Sequence, residues 1–204
     1  MLLKIFPENI NDKFIEKAIH VLKNDGVIVI PTDTVYAFAC SIHSNAAIER
    51  ICRLKKVKLE KANFSFVCES LSNISDFSKP MSNEVFRLMK NTLPGPFTYI
   101  LNANSNVPGI FKSNKKTIGI RVPDNQIALR LVKELGNPLM VASVHDESDE
   151  FMDYITDPDE IDARLGSNVD LVIDGGSGSF EPSTVVDCTA SEPVLIREGK
   201  GKIS

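Results

Sequence analysis

Apolar residues recur with helical spacing in five segments of the chain. In the clearest, residues 12–24, the side chains of Phe14, Ile15, Ala18, Ile19 and Leu22 share one face. Asn11 precedes this segment as a candidate N-cap, and Gly26 follows it as a stop. The same spacing predicts four further helices, at about 45–54, 82–90, 125–135 and 158–165, the last with Asp157 as its cap and Pro158 as its first residue.

Short β-rich runs separate these helices. They cover residues 27–30, 64–67, 97–101, 117–122, 139–142, 171–173, 184–186 and 194–196. Several are continuous apolar runs, which is typical of strands buried on both faces. Helices alternate with strands early in the chain and strands cluster late, so the pattern predicts an α/β (α+β) fold: one mixed sheet with helices packed against it.

Composition narrows the class of protein. The chain has 204 residues, of which 43% are hydrophobic and 25% charged, and this favours a globular protein with one domain over residues 1–204. The net charge of -4 argues against a protein whose whole surface is basic and binds nucleic acid. The four cysteines lack metal-ligand spacing, and no apolar run is long enough for a signal peptide or a membrane span. We therefore expect a cytoplasmic protein with free thiols and no membrane association.

Charge is segregated along the chain. Basic residues concentrate in 50–61 and again at Lys112, Lys115, Lys116 and Arg121, whereas residues 146–162 carry nine acids and no Lys or Arg. Each run taken alone fits an ordinary solvated surface. If the two basic segments converge, they create an anion site, and we expect Lys55 and Arg121 to approach one concavity.

One predicted strand ends in a cluster of polar residues. The run 27–30 stops at Pro31, which cannot continue a central ladder, and Thr32, Asp33 and Thr34 follow directly. Open α/β sheets place ligands at such strand ends. The alternative is an ordinary turn in which Asp33 caps and the threonines bond the backbone.

Three further segments carry residues suited to anions. Residues 93–98 form a Pro-Gly-Pro turn that leads into a strand, and Arg121 lies inside the apolar strand 117–122. An arginine there needs an anionic partner or a water-filled cavity, so we expect it to line a cavity. The glycine- and hydroxyl-rich stretch 174–187 can present N–H groups to phosphate, but it lacks the lysine of a P-loop.

These segments follow one another in a fixed order. Pro-Thr-Asp-Thr-Val-Tyr, Pro-Gly-Pro-x-Thr, Arg-Val-Pro, Ser-Thr-Val-Val-Asp and Arg-Glu-Gly run from Pro31 to Gly199, and together they resemble the YrdC/Sua5/YciO family over nearly the whole chain. The best-known members are L-threonylcarbamoyladenylate synthases, which combine L-threonine, bicarbonate and ATP, release pyrophosphate and serve N6-threonylcarbamoyladenosine formation in tRNA. The resemblance implies a single-domain, strongly twisted mixed sheet with a concave basic cavity.

The resemblance also implies site residues. Catalytic roles fall to Lys55, Arg121, Ser143 and His145. Substrate or nucleotide contacts fall to Thr32, Thr34, Tyr36, Lys55, Lys58, Arg121, Ser143, Ser183 and Arg197. Mg²⁺ is expected to travel with ATP and to need no dedicated protein cage.

Asn63-Phe64, residues 87–90 and a lost asparagine resemble the YciO-type branch of the family, and two departures from the family pattern bear on the reaction. Val57 stands where an arginine is usual after Lys55, and His145 stands where an asparagine is usual after Ser143. Lys56 or Lys58 can supply the missing charge but not the bidentate fork of arginine. We expect the synthase reaction to be slow in this chain.

Two alternatives stay open. The first is an RNA-binding module that holds tRNA or double-stranded RNA on the same basic cavity, although the chain has no Trp and only three Tyr to stack bases. The second keeps nucleotide binding and changes the acyl donor or acceptor, because Val57 and His145 lie in the matching pocket segments.

Overall fold

The computed structural model describes residues 1–111, 116–145 and 154–203. These residues form ten strands: β1 (Leu2–Lys4), β2 (Ile28–Ile30), β3 (Ala37–Ser41), β4 (Ser65–Val67), β5 (Phe97–Asn102), β6 (Thr117–Arg121), β7 (Leu139–Ser143), β8 (Leu171–Asp174), β9 (Thr184–Asp187) and β10 (Val194–Arg197). They also form six helices: α1 (Asp12–Lys23), α2 (Asn45–Leu54), α3 (Leu71–Ile74), α4 (Asn83–Thr92), α5 (Gln126–Leu135) and α6 (Pro158–Leu165). Short 3₁₀ turns lie at Leu59–Lys61 and Gly109–Phe111.

All ten strands belong to one sheet, in the order β1-β8-β2-β3-β7-β4-β6-β5-β9-β10. The neighbours β1/β8, β8/β2, β4/β6 and β5/β9 are parallel. The remaining neighbours are antiparallel. The sheet is therefore mixed, which confirms the predicted fold class.

Alternate residues of the central strands divide between two apolar clusters. In β7, Leu139 and Val141 join the cluster that contains the buried residues of α1 and α5. Met140 and Ala142 join the other cluster, which contains those of α2 and α4. Because successive side chains of a strand point to opposite faces, the centre of the sheet is covered on both faces, as its continuous apolar runs predicted. The edge strand β10 is instead exposed along its length.

Side-chain caps set the starts of the longer helices. Each capping side chain accepts a backbone N–H bond in the first turn; the caps are Asn11, Ser44, Ser82, Asn125 and Asp157. Such caps are strongly preferred because the first N–H groups of a helix have no partner inside it. All five predicted helices are present, and both predicted caps, Asn11 and Asp157, hold those positions.

The sequence did not predict β3, although it lies at the centre of the sheet. β3 pairs antiparallel with β2 and with β7, and Ile30 lies opposite Ala37. The polar segment 31–36 is therefore the loop of a hairpin and is held at both ends by paired strands. This fixes Thr32, Asp33 and Thr34 at one end of the sheet.

Two further expectations concern the thiols and the membrane. All four cysteines are free and buried, as predicted. Among the described helices, none is both long enough and apolar enough to cross a membrane.

Candidate functional site

The sheet carries a cavity of about 500 Å³. Seven neighbouring strands, from β3 across to β10, each contribute lining residues, for example Ala37, Val141, Ser65, Gly119, Ile100, Val185 and Ile196. The volume lies within the range of about 300–1,000 Å³ that is usual for small-molecule sites. Part of the wall is apolar, from Leu59, Phe64, Ile110, Phe111 and Ile118.

Six residues singled out from the sequence line this one cavity: Lys55, Arg121, Ser143, His145, Ser183 and Arg197. Lys55 and Arg121, which are distant in sequence, therefore share a concavity as expected. In the second basic segment, Lys112 and Lys115 lie outside the described residues. Glu60 is the acidic residue of the described lining.

Helix α2 delivers Lys55 to the cavity. The helix ends in a Schellman arrangement, in which the N–H of Val57 bonds the carbonyl of Cys52 at 3.0 Å and the N–H of Lys56 bonds the carbonyl of Arg53 at 3.1 Å. Lys56 occupies the left-handed position of this motif, with φ at 54°. The motif turns the chain sharply at the point where Lys55 leaves the helix.

The ammonium group of Lys55 holds the end of β7. Lys55 is buried, and its Nζ donates to the carbonyl of Ser143 at 3.0 Å and to that of His145 at 3.3 Å. The Ser143 hydroxyl lies 2.8 Å from Nδ1 of His145, and the imidazole meets the Tyr154 ring edge-on at 5.2 Å between centroids. We name this group, Lys55 with Ser143 and His145, the lysine end of the cavity.

Arg121 forms a buried ion pair with Asp33. Its Nη2 donates to Asp33 Oδ1 at 2.7 Å and to the Thr34 hydroxyl at 3.0 Å, and the two charged side chains are 8% and 7% exposed. Burial lowers the pKa of the Arg121 guanidinium; Asp33 opposes that shift, and Arg197 adds to it. The other Asp33 oxygen accepts the N–H of Asp124 at 3.0 Å. Among the described residues, Nε of Arg121 has no hydrogen-bond partner.

Ser183 and Arg197 lie beside each other in the hairpin that ends the sheet. Arg197 donates from Nη2 to the Ser183 carbonyl at 2.8 Å, and the Ser183 hydroxyl lies 2.7 Å from that of Thr98. Thr98 is the threonine of the Pro-Gly-Pro segment, and it also lines the cavity. We name this group, Arg121 with Ser183 and Arg197, the arginine end.

Of the Thr32–Tyr36 segment, Val35 lines the cavity, whereas Thr32, Thr34 and Tyr36 support it from outside the lining. Thr32 donates its hydroxyl to the Val35 carbonyl at 2.8 Å and accepts the N–H of Thr34 at 3.0 Å, as the ordinary-turn alternative predicted. Tyr36 donates to the Gly176 carbonyl at 2.6 Å and thereby anchors the glycine-rich loop. Burial raises the pKa of Tyr36 to about 12, so the phenol stays protonated as a donor at neutral pH.

Lys58 and Val57 do not line the cavity. Lys58 is exposed just before the 3₁₀ turn, and its side chain lies outside the lining. Val57 is partly buried and packs against the apolar cluster on the α2 side of the sheet. At the position where the family pattern has an arginine, this chain therefore has Val57, which makes an apolar contact just after the end of α2.

Sequence reasoning missed two residues of this site. Asp33 stood in a segment already singled out, but its partner Arg121 lies 88 positions away, and no local pattern joins them. Lys200 was also missed: its Nζ donates to the carbonyl of Asp33 at 2.7 Å. The one signal for Lys200 was its place directly after the Arg-Glu-Gly motif.

The arrangement suits a ligand with several anionic groups. Lys55, Arg121 and Arg197 are the cationic residues of the described lining, and hydroxyls of Thr98, Ser143 and Ser183 stand among them. Cations and hydroxyl donors fixed in a cavity stabilise phosphate or carboxylate charge more than they do in water. The described residues include no group of three or more His, Cys, Asp or Glu side chains that could hold a metal ion.

Comparisons with known proteins agree with this architecture. The Sua5/YciO/YrdC family model, described as "Telomere recombination", matches residues 20–199. An Escherichia coli protein named "Uncharacterized protein YciO" is 42% identical over 200 residues, which are 98% of this chain and 95% of the relative. The crystal structure of E. coli YciO superposes with a TM-score of 0.91 at 41% identity and covers 99% of this chain and 97% of that one.

A more distant relative has a named activity. The threonylcarbamoyl-AMP synthase of Coxiella burnetii is 25% identical over 188 residues, which are 92% of this chain and 96% of the relative. The similarity therefore spans nearly the whole of both chains.

Proposed function

The chain belongs to the Sua5/YciO/YrdC family, and from this membership we propose that it is an ATP-dependent synthase of threonylcarbamoyl-AMP type. The observation that carries the proposal is the cavity itself, in which Lys55, Arg121 and Arg197 converge from a helix end and two strands. The name of the C. burnetii relative supports the same reaction. The proposed substrates are ATP, which brings its Mg²⁺, L-threonine and bicarbonate.

The proposed reaction needs no covalent nucleophile from the protein. The threonine amine and bicarbonate condense to an N-carboxylate with loss of water. A carboxylate oxygen then attacks the α-phosphorus of ATP; the bond from that phosphorus to the bridging oxygen breaks, and pyrophosphate leaves. The protein has to hold the anionic groups together, neutralise the charge on the leaving group and exclude water.

The two ends of the cavity fit different parts of this task. At the arginine end, the guanidinium groups of Arg197 and Arg121 line the cavity and offer donors to phosphate oxygens. At the lysine end, Lys55 holds the carbonyls of Ser143 and His145 and so fixes the Ser143 hydroxyl and the imidazole. These groups suit the carboxylate and carbamate side of the ligand, which accepts the adenylyl group in the proposed synthase step.

Release of pyrophosphate tests the proposal. Wild-type protein is incubated with MgATP, L-threonine and bicarbonate, and each is omitted in turn; release is expected only when all three are present. Arg197→Met should lower the rate by about a hundredfold, the scale of losing one transition-state donor. Arg130→Met is the matched control, because Arg130 pairs on the surface with Asp12 and Glu134. Pyrophosphate release that does not depend on threonine or on bicarbonate would refute this substrate set and favour a different acyl donor or acceptor.

A second candidate function rests on the surface beside the cavity. Arg53, Lys58 and Lys61 are exposed, and Leu59 and Glu60 between them line the cavity. A basic rim of this kind supports binding of an RNA backbone. Salt-sensitive binding of tRNA or double-stranded RNA by a protein that releases no pyrophosphate would favour this RNA-binding module over the synthase.

A further inference from the structure

The segment that follows β10 is held tightly against the loop before β9. The N–H of Lys200 donates to the Pro182 carbonyl at 2.9 Å, and the N–H of Gly199 donates to the Thr184 hydroxyl at 3.0 Å. That hydroxyl donates in turn to the Gly201 carbonyl at 2.6 Å. A Cβ at Gly199 would lie only 2.3 Å from the Pro182 oxygen, so this close approach requires glycine. The Lys200 backbone is therefore fixed.

From this fixed point the Lys200 side chain reaches the hairpin loop 31–36. Its Nζ donates to the main-chain carbonyl of Asp33 at 2.7 Å. The carboxylate of the same residue holds Arg121 through Oδ1 and the N–H of Asp124 through Oδ2. One residue, Asp33, thus connects the C-terminal segment to the buried arginine of the cavity.

We propose that Lys200 is a positioning residue for Arg121: it fixes the main chain of Asp33, and the Asp33 carboxylate then orients the guanidinium. Arg121 is buried and its Nε has no partner among the described residues, so its donor direction depends on what holds Nη2. Asp33 and Thr34 hold Nη2, and both lie in the loop that Lys200 contacts. The effect of Lys200 on nucleotide affinity rests on the proposed function, whereas its effect on Arg121 does not.

The geometric part is tested by NMR on the free protein. The Arg121 Nε–H cross-peak is assigned by its loss in Arg121→Lys. It should move in Lys200→Met, return near its original position in Lys200→Arg, and stay unchanged in Lys202→Met, which removes the same charge from the same exposed segment. An unmoved peak in Lys200→Met overturns the inference, and so does an equal shift in Lys202→Met.

The functional part is tested by calorimetric titration with MgATP. Lys200→Met should raise Kd about tenfold, the scale of one hydrogen bond to a charged group, with an unchanged Tm. Lys200→Arg should recover most of the affinity, and Lys202→Met should stay within about twofold. A shifted Arg121 peak with unchanged affinity would show that the position of Arg121 does not govern nucleotide binding, and would overturn the functional part of the inference. If wild-type protein binds no MgATP, the proposed function fails, while the NMR result still decides whether Lys200 positions Arg121.

Discussion

The two ends of the cavity bury a cation in different ways. At the lysine end, the Lys55 ammonium donates to two main-chain carbonyls at the end of β7. At the arginine end, Arg121 faces the carboxylate of Asp33 across 2.7 Å. The Asp33 carboxylate offsets the charge of Arg121, so this pair supplies hydrogen-bond direction more than net charge.

This difference has an energetic consequence. A buried ion pair gives little net stability, but losing one partner leaves an uncompensated buried charge. Removal of the Lys55 ammonium leaves the carbonyls of Ser143 and His145, which are neutral acceptors, without that donor. Because its loss leaves the Asp33 carboxylate as a buried charge, we expect Arg121 to be the more sensitive to a single substitution. The first two of the four experiments below test that expectation, and the other two concern the lysine end alone.

The largest effect is expected from Arg121→Met. It leaves the Asp33 carboxylate, itself 7% exposed, without its ion partner, and should lower the free energy of unfolding by about 3–5 kcal/mol in urea titrations. Adding Asp33→Asn to Arg121→Met should recover more than half of that loss. Arg130→Met, in an exposed ion pair, should cost less than about 1 kcal/mol. If Arg121→Met lowers the free energy of unfolding no more than Arg130→Met does, the buried ion pair does not make the arginine end more sensitive than the lysine end.

Lys55→Met should have a smaller effect on stability. It deprives the Ser143 and His145 carbonyls of a donor, which costs about 1–3 kcal/mol for buried acceptors. Lys58→Met is the control, because Lys58 is exposed and should change stability by no more than about 0.5 kcal/mol. Urea titration of both variants measures the difference. A Lys55→Met cost equal to or above that of Arg121→Met would reverse the ranking of the two ends.

The catalytic consequence of the lysine end is tested by Val57→Arg combined with His145→Asn. These changes give the chain the residues that its family usually carries, and the double variant should release pyrophosphate about tenfold faster than wild type, or about 1.4 kcal/mol in barrier. Val57 is partly buried, and a long side chain there can extend its head towards water. Both single variants serve as controls for additivity. If neither change raises the rate of pyrophosphate release above that of the wild type, the lysine end already suits the reaction.

The smallest effect concerns the helix end that delivers Lys55. Lys56 has φ at 54°, a conformation that costs a residue with a Cβ about 1 kcal/mol, so Lys56→Gly should stabilise the protein by up to that amount. Arg53→Gly, inside the helix, should instead destabilise it by about 1 kcal/mol. Thermal unfolding measures both shifts. Destabilisation by Lys56→Gly would mean that its side-chain contacts outweigh the backbone strain.

Local patterns in the sequence predicted the elements that local chemistry controls. The caps Asn11 and Asp157 predicted two helix starts, and the arginine inside an apolar strand predicted the cavity that it lines. β3 was missed because two of its five residues are alanine, which is depleted in strands, so no strand was predicted at 37–41. Its place at the centre of the sheet comes from pairing with β2 and β7, which is tertiary information.

Contacts between distant segments could not be predicted in the same way. Asp33 and Arg121 are 88 positions apart, and Lys200 reaches Asp33 from 167 positions away. The hairpin loop 31–36 was singled out for its residue types, but only the sheet order brings β6 and the C-terminal segment to it. Residue types therefore predicted which residues belong to the site better than they predicted which of those residues contact one another.

The buried thiols offer reporters of local opening at both ends of the cavity. Burial raises the pKa of Cys68 to about 12 and that of Cys188 to about 11, and it raises the pKa of Cys52 as well. Alkylating reagents attack the thiolate, so modification has to wait for a fluctuation that exposes the sulfur. Cys52 lies in α2, which delivers Lys55, whereas the N–H of Cys68 bonds the carbonyl of Arg121 at 2.9 Å. The order in which these thiols are modified would show which end of the cavity opens more readily.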